Sequence, residues 1–317
     1  MSSLIVKKIL KKIGQTELLE DLAKLSGTEL NTLLLEVFDQ YTGDITPSEL
    51  LKLYQLNRFV KPSDLPVLEL RRMELDILEI FSRHSFRLLD LSPVAILGAC
   101  SIVAPVSQKK VVSALRGTEV LSDATNSIAL YISHLKKNKI WVPQKQEDKL
   151  RFGAIQRHLR SQAIRGKGLT PHFKIGCLVT SGTDSGNYAF EREAMREQMA
   201  IMKELYQKYY KVDNLYYRFI CRNGYSDSRQ FAHELKMHIN QHNPEYNIEI
   251  DSNPEKEIEY YEGIQFKVLI GVNGRTYEIA DGGFVNWTQQ FLQNRKERML
   301  ICGFGFEFMY RIMNGLL

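Results

Sequence analysis

The stretch GIQFKVLIGVNGRTYEIADGG, residues 263 to 283, narrows the fold more than any other part of the chain. Two runs of alternating apolar residues flank Asn273-Gly274, the dipeptide that a two-residue hairpin turn prefers because both central residues need positive φ. A connection that short joins only antiparallel strands. HFKIGCLVT (172 to 180) and MLICGFG (299 to 305) read as further strands, and helical patterns surround them. The expected fold class is therefore α+β, with helices flanking an antiparallel sheet.

Residues 1 to 60 read as short helices. Leucines recur at three- and four-residue spacings in TELLEDLAKL, ELNTLLLEVF and SELLKLYQL, punctuated by Gly27, Gly43 and Pro47. The opening MSSLIVKKILKKIG sets lysines opposite Ile5, Ile9 and Ile13. A membrane-surface or targeting segment would read this way, but acidic TELLEDL follows at once and no small-residue cleavage site is present, which favours an amphipathic first helix. KPSDLP, with two prolines, makes residues 61 to 66 the linker. The division is thus a helical module over 1–66 and a core domain over 67–317.

Past the linker, VLELRRMELDILEIFSRHSF carries Leu70, Met73, Ile77, Ile80 and Phe81 on one helical stripe, and RLLDLSPVAI reads as a strand containing Pro93. In SDATNSIALYIS, Ser122 or Asp123 caps a helix that buries Ile128, Ala129 and Ile132. The polar turn SGTDSGN leads to a helix from about Tyr188 to Tyr210, with Met195, Met199, Met202, Leu205 and Tyr209 facing the core.

With 317 residues, 44% of them hydrophobic and 25% charged, the chain has apolar material for one large domain or two smaller ones. The four cysteines are far apart and form no C-x-x-C, which argues against a zinc ribbon or a disulfide framework and fits a reducing cytoplasm. No run of about 20 apolar residues reads as a membrane span. A formal charge of +5 is weak grounds for nucleic-acid binding, and on charge alone the cluster Arg151, Arg157, His158, Arg160, Arg165 and Lys167 reads as a solvated face and loop.

ICGFGFEFMYRI, residues 301 to 312, sets a G-x-G step between a strand and a helix, a backbone able to approach a ligand or a neighbouring strand closely. Taken in order with four earlier stretches, it resembles the catalytic core of class II aminoacyl-tRNA synthetases over roughly residues 68 to 317. The likeness is to the histidyl-tRNA synthetase branch and its catalytically altered relatives. ELRRMELDILEIFSRHSF with the following strand is similar to motif 1, which implies a homodimer through residues 68 to 105. LRGTEVLSDATNSIALYI resembles the segment that holds the substrate's α-amino group, which gives that role to Asp123 and Thr125. On plain chemistry the pair is either an ammonium site or a helix N-cap.

HLRSQAIRGKGLTPHFKIGCLV resembles motif 2. The resemblance places Arg160 at the α-phosphate and substrate carboxylate, with Gln162 where a glutamate is expected. It leaves Arg165 or Lys167 as the loop's second cation, and His172 or Phe173 under the adenine. In the histidine pocket Lys174 replaces a glutamine and Leu178 a glutamate, so histidine itself would lose the acceptor for its ring N–H. KEIEYYEGIQF resembles the histidine-specific segment, with Tyr260, Tyr261 and Gly263 matching and Lys256 in place of a catalytic arginine. ADGGF follows, where Gly282 and Gly283 would let the backbone pass close to the ligand.

ICGFGFEFMYRI resembles motif 3, but Phe308 stands where an arginine meets the triphosphate. Arg311, three residues on, is spaced either for an i,i+4 ion pair with Glu307 or for a displaced ATP contact. The resemblance implies ATP and Mg²⁺ as cofactors, and the replaced charges imply weakened activation chemistry. Two readings follow. One is a paralogue that binds an amino acid or a nucleotide-like small molecule in a regulatory or interaction role, as the regulatory subunit of ATP phosphoribosyltransferase does on a similar body. The other is an adenylate-forming ligase that passes an amino acid to a carrier other than a whole tRNA. Because the sequence stops at the motif 3 helix, tRNA is an unexpected partner; no residues suggest a metal centre, a membrane contact or a particular protein partner.

Overall fold

Asn273 and Gly274 both take positive φ, 51° and 73°, so the turn read from the sequence forms and closes the central hairpin. The computed structural model describes residues 4–162, 170–210, 215–254 and 258–317. Its helices and strands follow in chain order. Helices α1 (Leu4–Lys12), α2 (Leu18–Lys24), α3 (Gly27–Gly43), α4 (Pro47–Leu56) and α5 (Val67–Arg83) come first. Strands β1 (Arg87–Leu88), β2 (Val94–Ile96) and β3 (Thr118–Val120) lead to α6 (Ala124–Lys137). Next are β4 (Leu150–Leu159), β5 (His172–Thr183), α7 (Ala189–Tyr210), β6 (Leu215–Cys221) and α8 (Ser228–His242). The last third holds β7 (Asn247–Asp251), β8 (Glu262–Val272), β9 (Arg275–Phe284), α9 (Trp287–Leu292), β10 (Glu297–Phe304) and α10 (Phe306–Met313).

Eight strands form one sheet in the order β1-β4-β5-β10-β9-β8-β6-β7. The six from β4 to β6 are antiparallel, and β1 and β7 add parallel edges. Against the single strand expected for RLLDLSPVAI, the chain makes two short pieces around Pro93. Proline has no N–H for a ladder, so β1 joins the sheet edge while β2 pairs with β3 in a separate ribbon.

Each face of the sheet has its own apolar layer. The α5 stripe of Leu70, Met73, Ile77, Ile80 and Phe81 is buried as its spacing predicts, and it packs with Met195, Met199, Met202 and Leu205 of α7 on one face. Ile128, Ala129 and Ile132 of α6 pack on the other, with Trp287 of α9. Two-sided burial explains the nearly continuous apolar runs of β5 and β10.

Helices α1 to α4 differ sharply. Capping boxes at Ser26 with Glu29 and Thr46 with Glu49 start α3 and α4, yet α2, α3 and α4 bury no residue. Leu4, Ile5, Ile9, Phe38 and Leu56 are all more than half exposed. Attachment to the remainder is polar and local: the Gly117 N–H donates to Asn31 Oδ1 at 3.2 Å, and Arg58 donates to the carbonyls of Ser161 and Gln162.

Candidate functional site

Three cavities meet at Arg160 and Asp281, each of which lines all three. Arg160 is carried just beyond the end of β4, and Asp281 lies in β9 two strands from β5. The first cavity, about 350 Å³, is bounded by Asp123, Tyr260, Tyr261 and the loop around Val106. A second of about 210 Å³ runs beneath it past Thr125, His158 and Cys177. The third, about 390 Å³, opens toward Phe173, Phe308 and Arg311. The glycines of the G-x-G step, Gly303 and Gly305, line the second and third.

Of the two roles that its sequence context allowed, the helix cap is formed by Asp123. It is the N-cap of α6, with Oδ1 accepting from the Thr125 N–H at 2.9 Å and the Thr125 hydroxyl at 2.7 Å. Its Oδ2 accepts from the Tyr260 hydroxyl at 2.8 Å and the residue faces the first two cavities. Three donors hold the carboxylate, and among the described residues it has no cationic partner. One acceptor direction of the four is left. Burial, and then the neighbouring Asp123 carboxylate, keeps the Tyr260 phenol well above the usual tyrosine range, so it stays a donor. Its ring meets Tyr261 at 4.8 Å and Trp287 at 5.4 Å, both edge to face.

Behind these lies a polar chain that the sequence reading did not single out. Arg222 donates to Gln265 Oε1 at 2.6 Å, Gln265 donates to Asp281 at 2.7 Å, and Tyr261 donates to Asp281 at 3.3 Å. Burial raises the Asp281 carboxyl, opposed by the hydrogen bond from Gln265. His158, two residues before Arg160, is likewise buried, and its Nε2 accepts the Ala124 N–H at 2.9 Å. Desolvation lowers its imidazole to about 4, which keeps that nitrogen free to accept. The sequence offered a signal for His158, since residues i and i+2 of a strand share a face with Arg160.

Several of the expected site residues make contacts within the chain itself. Lys174 and Leu178 lie on the strand face opposite Ile175 and Cys177. Leu178 is wholly buried in the layer under α5 and α7, and Lys174 donates to Glu74 of α5 at 2.6 Å. A one-residue offset flips every side chain of a strand, so Ile175 and Cys177 face the second cavity, while Lys174 reaches the wall of the third. Of the two adenine candidates, Phe173 lines the third cavity, while His172 turns away to accept from Arg157 at 2.9 Å and donate to the Lys61 carbonyl at 2.6 Å.

Gly282 and Gly283 let the backbone pass close to neighbouring groups of the chain. A Cβ on Gly282 would lie 2.5 Å from the Ile301 carbonyl oxygen, and one on Gly283 would lie 2.6 Å from the Tyr261 ring. The i,i+4 pair of Glu307 with Arg311 does not form. Glu307 accepts from Arg157 at 2.7 Å, and Arg311 reaches Asp64 at 2.5 Å. Lys256, Arg165 and Lys167 lie outside the described residues.

A magnesium triphosphate at Arg160 and Arg311 would have to displace Asp64 before it gained the Arg311 charge. Among the described residues no group of three His, Cys, Asp or Glu side chains is placed to hold a metal ion. The cations of the third cavity's wall other than Arg160 are already paired with carboxylates of the chain itself. Nor is any helix among the described residues long and apolar enough to cross a membrane.

No protein-family model matches the sequence, and no curated protein does. Solved structures match the fold. Apo histidyl-tRNA synthetase of S. aureus superposes with a TM-score of 0.61 at 12% identity, over 82% of this chain and 70% of that one. An ATP phosphoribosyltransferase regulatory subunit/histidyl-tRNA synthetase from Bacillus halodurans gives 0.62 at 12% identity, over 81% and 83%. A structure described as the RNA binding domain of threonyl-tRNA synthetase from Cryptosporidium parvum gives 0.62 at 8% identity, over 82% and 68%. The chain therefore has the fold of class II synthetase catalytic cores, as its five stretches led us to expect.

Proposed function

We propose that this synthetase-like chain binds the ammonium group of an amino acid or related amine at Asp123 and acts in a regulatory or interaction role in the cytoplasm. The observation that carries the reading is the Asp123 carboxylate. It is oriented by Thr125 and Tyr260, it has no cationic partner among the described residues, and it faces a cavity of about 350 Å³. A bound ammonium supplies the missing charge and a charge-assisted hydrogen bond. Arg160 lies across the same cavity and supplies a cation for the ligand's carboxylate.

The non-catalytic side of the reading is supported by the ion pairs that already occupy Lys174 and Arg311. Activation of a carboxylate by ATP relies on fixed positive charge around the phosphates. Likeness to the Bacillus halodurans structure offers a fold-level analogy for a regulatory role. The exposed apolar side chains of α1 to α4 agree with an interaction role.

Calorimetry with each of the common amino acids tests the binding claim. At least one binds the wild-type chain, and Asp123→Asn abolishes the signal. Amino-acid-dependent pyrophosphate exchange is expected to be flat. Exchange that disappears in Arg160→Ala would replace this reading with that of an adenylate-forming ligase.

A further inference from the structure

We propose that α1 is a membrane-surface anchor: its isoleucine row enters an anionic phospholipid bilayer at the headgroup boundary, and its lysines meet the lipid phosphates. The proposal stands apart from the ligand reading above.

The geometry starts from three side chains. Ile5, Ile9 and Ile13 are spaced i, i+4 and i+8, which sets them along one side of the helix. Ile13 stays in register because α1 closes on a Schellman turn. The Gln15 N–H donates to the Leu10 carbonyl at 3.0 Å and the Gly14 N–H to that of Lys11 at 3.2 Å, with Gly14 at a φ of 71°. The sequence led us to expect an amphipathic helix packed on its own module, which would bury this row. Instead Ile5, Ile9 and Ile13 are 70%, 52% and 51% exposed, and Leu10, on another side, is the buried residue of α1.

Charge identifies the occupant. Lys7, Lys8, Lys11 and Lys12 all belong to this nine-residue helix, which has no acidic residue. Lys8 and Lys12 lie one turn on from Ile5 and Ile9, beside the row. Lys11 and Lys12 also suit the negative end of the helix, but Lys7 and Lys8 stand too far from it to gain much. Among the described residues none of the four is held in an ion pair. They carry four of the chain's five net positive charges, so the remainder is close to neutral and an anionic surface draws the molecule in with α1 foremost.

A lipid surface uses both features, and other occupants use one. Nucleic-acid phosphates engage lysines and leave the isoleucines in water. A second α1 laid along the row brings two sets of like charges together. At a bilayer boundary the apolar side chains sink about 5 to 10 Å while the lysine stems lie along them and the ammonium heads reach the phosphates.

The test is sedimentation of the full chain with sucrose-loaded vesicles of phosphatidylcholine, with and without phosphatidylglycerol. Wild type is expected to bind the anionic vesicles at least about a hundredfold more tightly than the neutral ones, and less tightly as salt is raised. Ile9→Glu, at an exposed side chain, should abolish sedimentation, and Lys8→Gln with Lys12→Gln should weaken it about thirtyfold. Circular dichroism checks that the variants keep the fold. Wild type left in the supernatant with both vesicles overturns the proposal, as does equal binding to the two lipids or sedimentation unchanged in Ile9→Glu. Where vesicle binding fails, duplex RNA held equally by wild type and Ile9→Glu gives the lysines to nucleic acid, and a mass in light scattering that falls in Ile9→Glu gives the row to a second copy.

Discussion

Tyr260 and Asp123 are 137 residues apart in sequence and 2.8 Å apart in space, the phenol donating to the carboxylate oxygen that Thr125 leaves free. Tyr260→Phe removes that donor and leaves the aromatic contacts with Tyr261 and Trp287. Deleting a hydrogen bond to a charged group costs about 1.5 to 3 kcal/mol when its partner stays buried. The loss should divide between stability and ligand affinity. Urea melts and amine calorimetry on Tyr260→Phe measure the two parts, and unchanged values for both would show that the contact orients nothing.

The buried His158 gives the fold a pH dependence of definite sign. Its folded-state value, about 4, lies below the ordinary 6.5, so the unfolded chain takes up a proton over a range where the folded chain does not. The stabilisation is therefore complete above about pH 6.5, falls as pH drops from there toward 4, and levels off below. The depression corresponds to something on the order of 3 kcal/mol. Urea denaturation at pH 7 and pH 4.5 should show a smaller fall in stability for His158→Gln than for wild type. Equal falls would place the acid sensitivity in other groups.

Local patterns were legible in the sequence where one periodicity or one turn decided the outcome. Asn273-Gly274 set the central hairpin, the α5 stripe buried as spaced, and Asp123 capped α6. Facing was harder. Lys174 and Leu178 sit in a strand buried on both faces, where hydrophobicity does not reveal which side meets the cavity. Partners remote in sequence were not legible at all. Glu307 is four residues from Arg311, but Arg157 and Asp64 take the two charges instead, from 150 and 247 residues away. Nothing in KPSDLP announces that its aspartate meets an arginine near the other end of the chain.

Close approach of backbone predicts the cost of a methyl group at Gly282. Its Cβ would come within 2.5 Å of the Ile301 carbonyl oxygen and 2.6 Å of the Phe266 ring. A ring can tilt, but the carbonyl belongs to the β9–β10 ladder and cannot move without breaking it. Gly282→Ala should destabilise by about 1 to 3 kcal/mol or more. The midpoint of urea unfolding reads this directly, and a midpoint within error of wild type would mean that the strands have room to separate.

The outward face of α5 carries the prediction about assembly. While Leu70, Met73, Ile77, Ile80 and Phe81 point into the core, Leu68 and Leu75, seven residues apart and on one helical face, are 73% and 59% exposed. Leu75 also lines a groove of about 480 Å³ with Leu78, Leu88, Leu89 and Ile155 at the β1 edge of the sheet. A two-fold interface requires one patch to serve both partners, and the helix face beside this groove is where we expect a second copy to sit. Light scattering at micromolar concentration should give twice the chain mass of 36.7 kDa. Leu75→Glu places a charge at the centre of that patch and should return the mass to one chain, with the melting of the core unchanged apart from the lost association. A wild-type protein that stays monomeric across this range would leave the apolar face of α5 without a second copy to cover it.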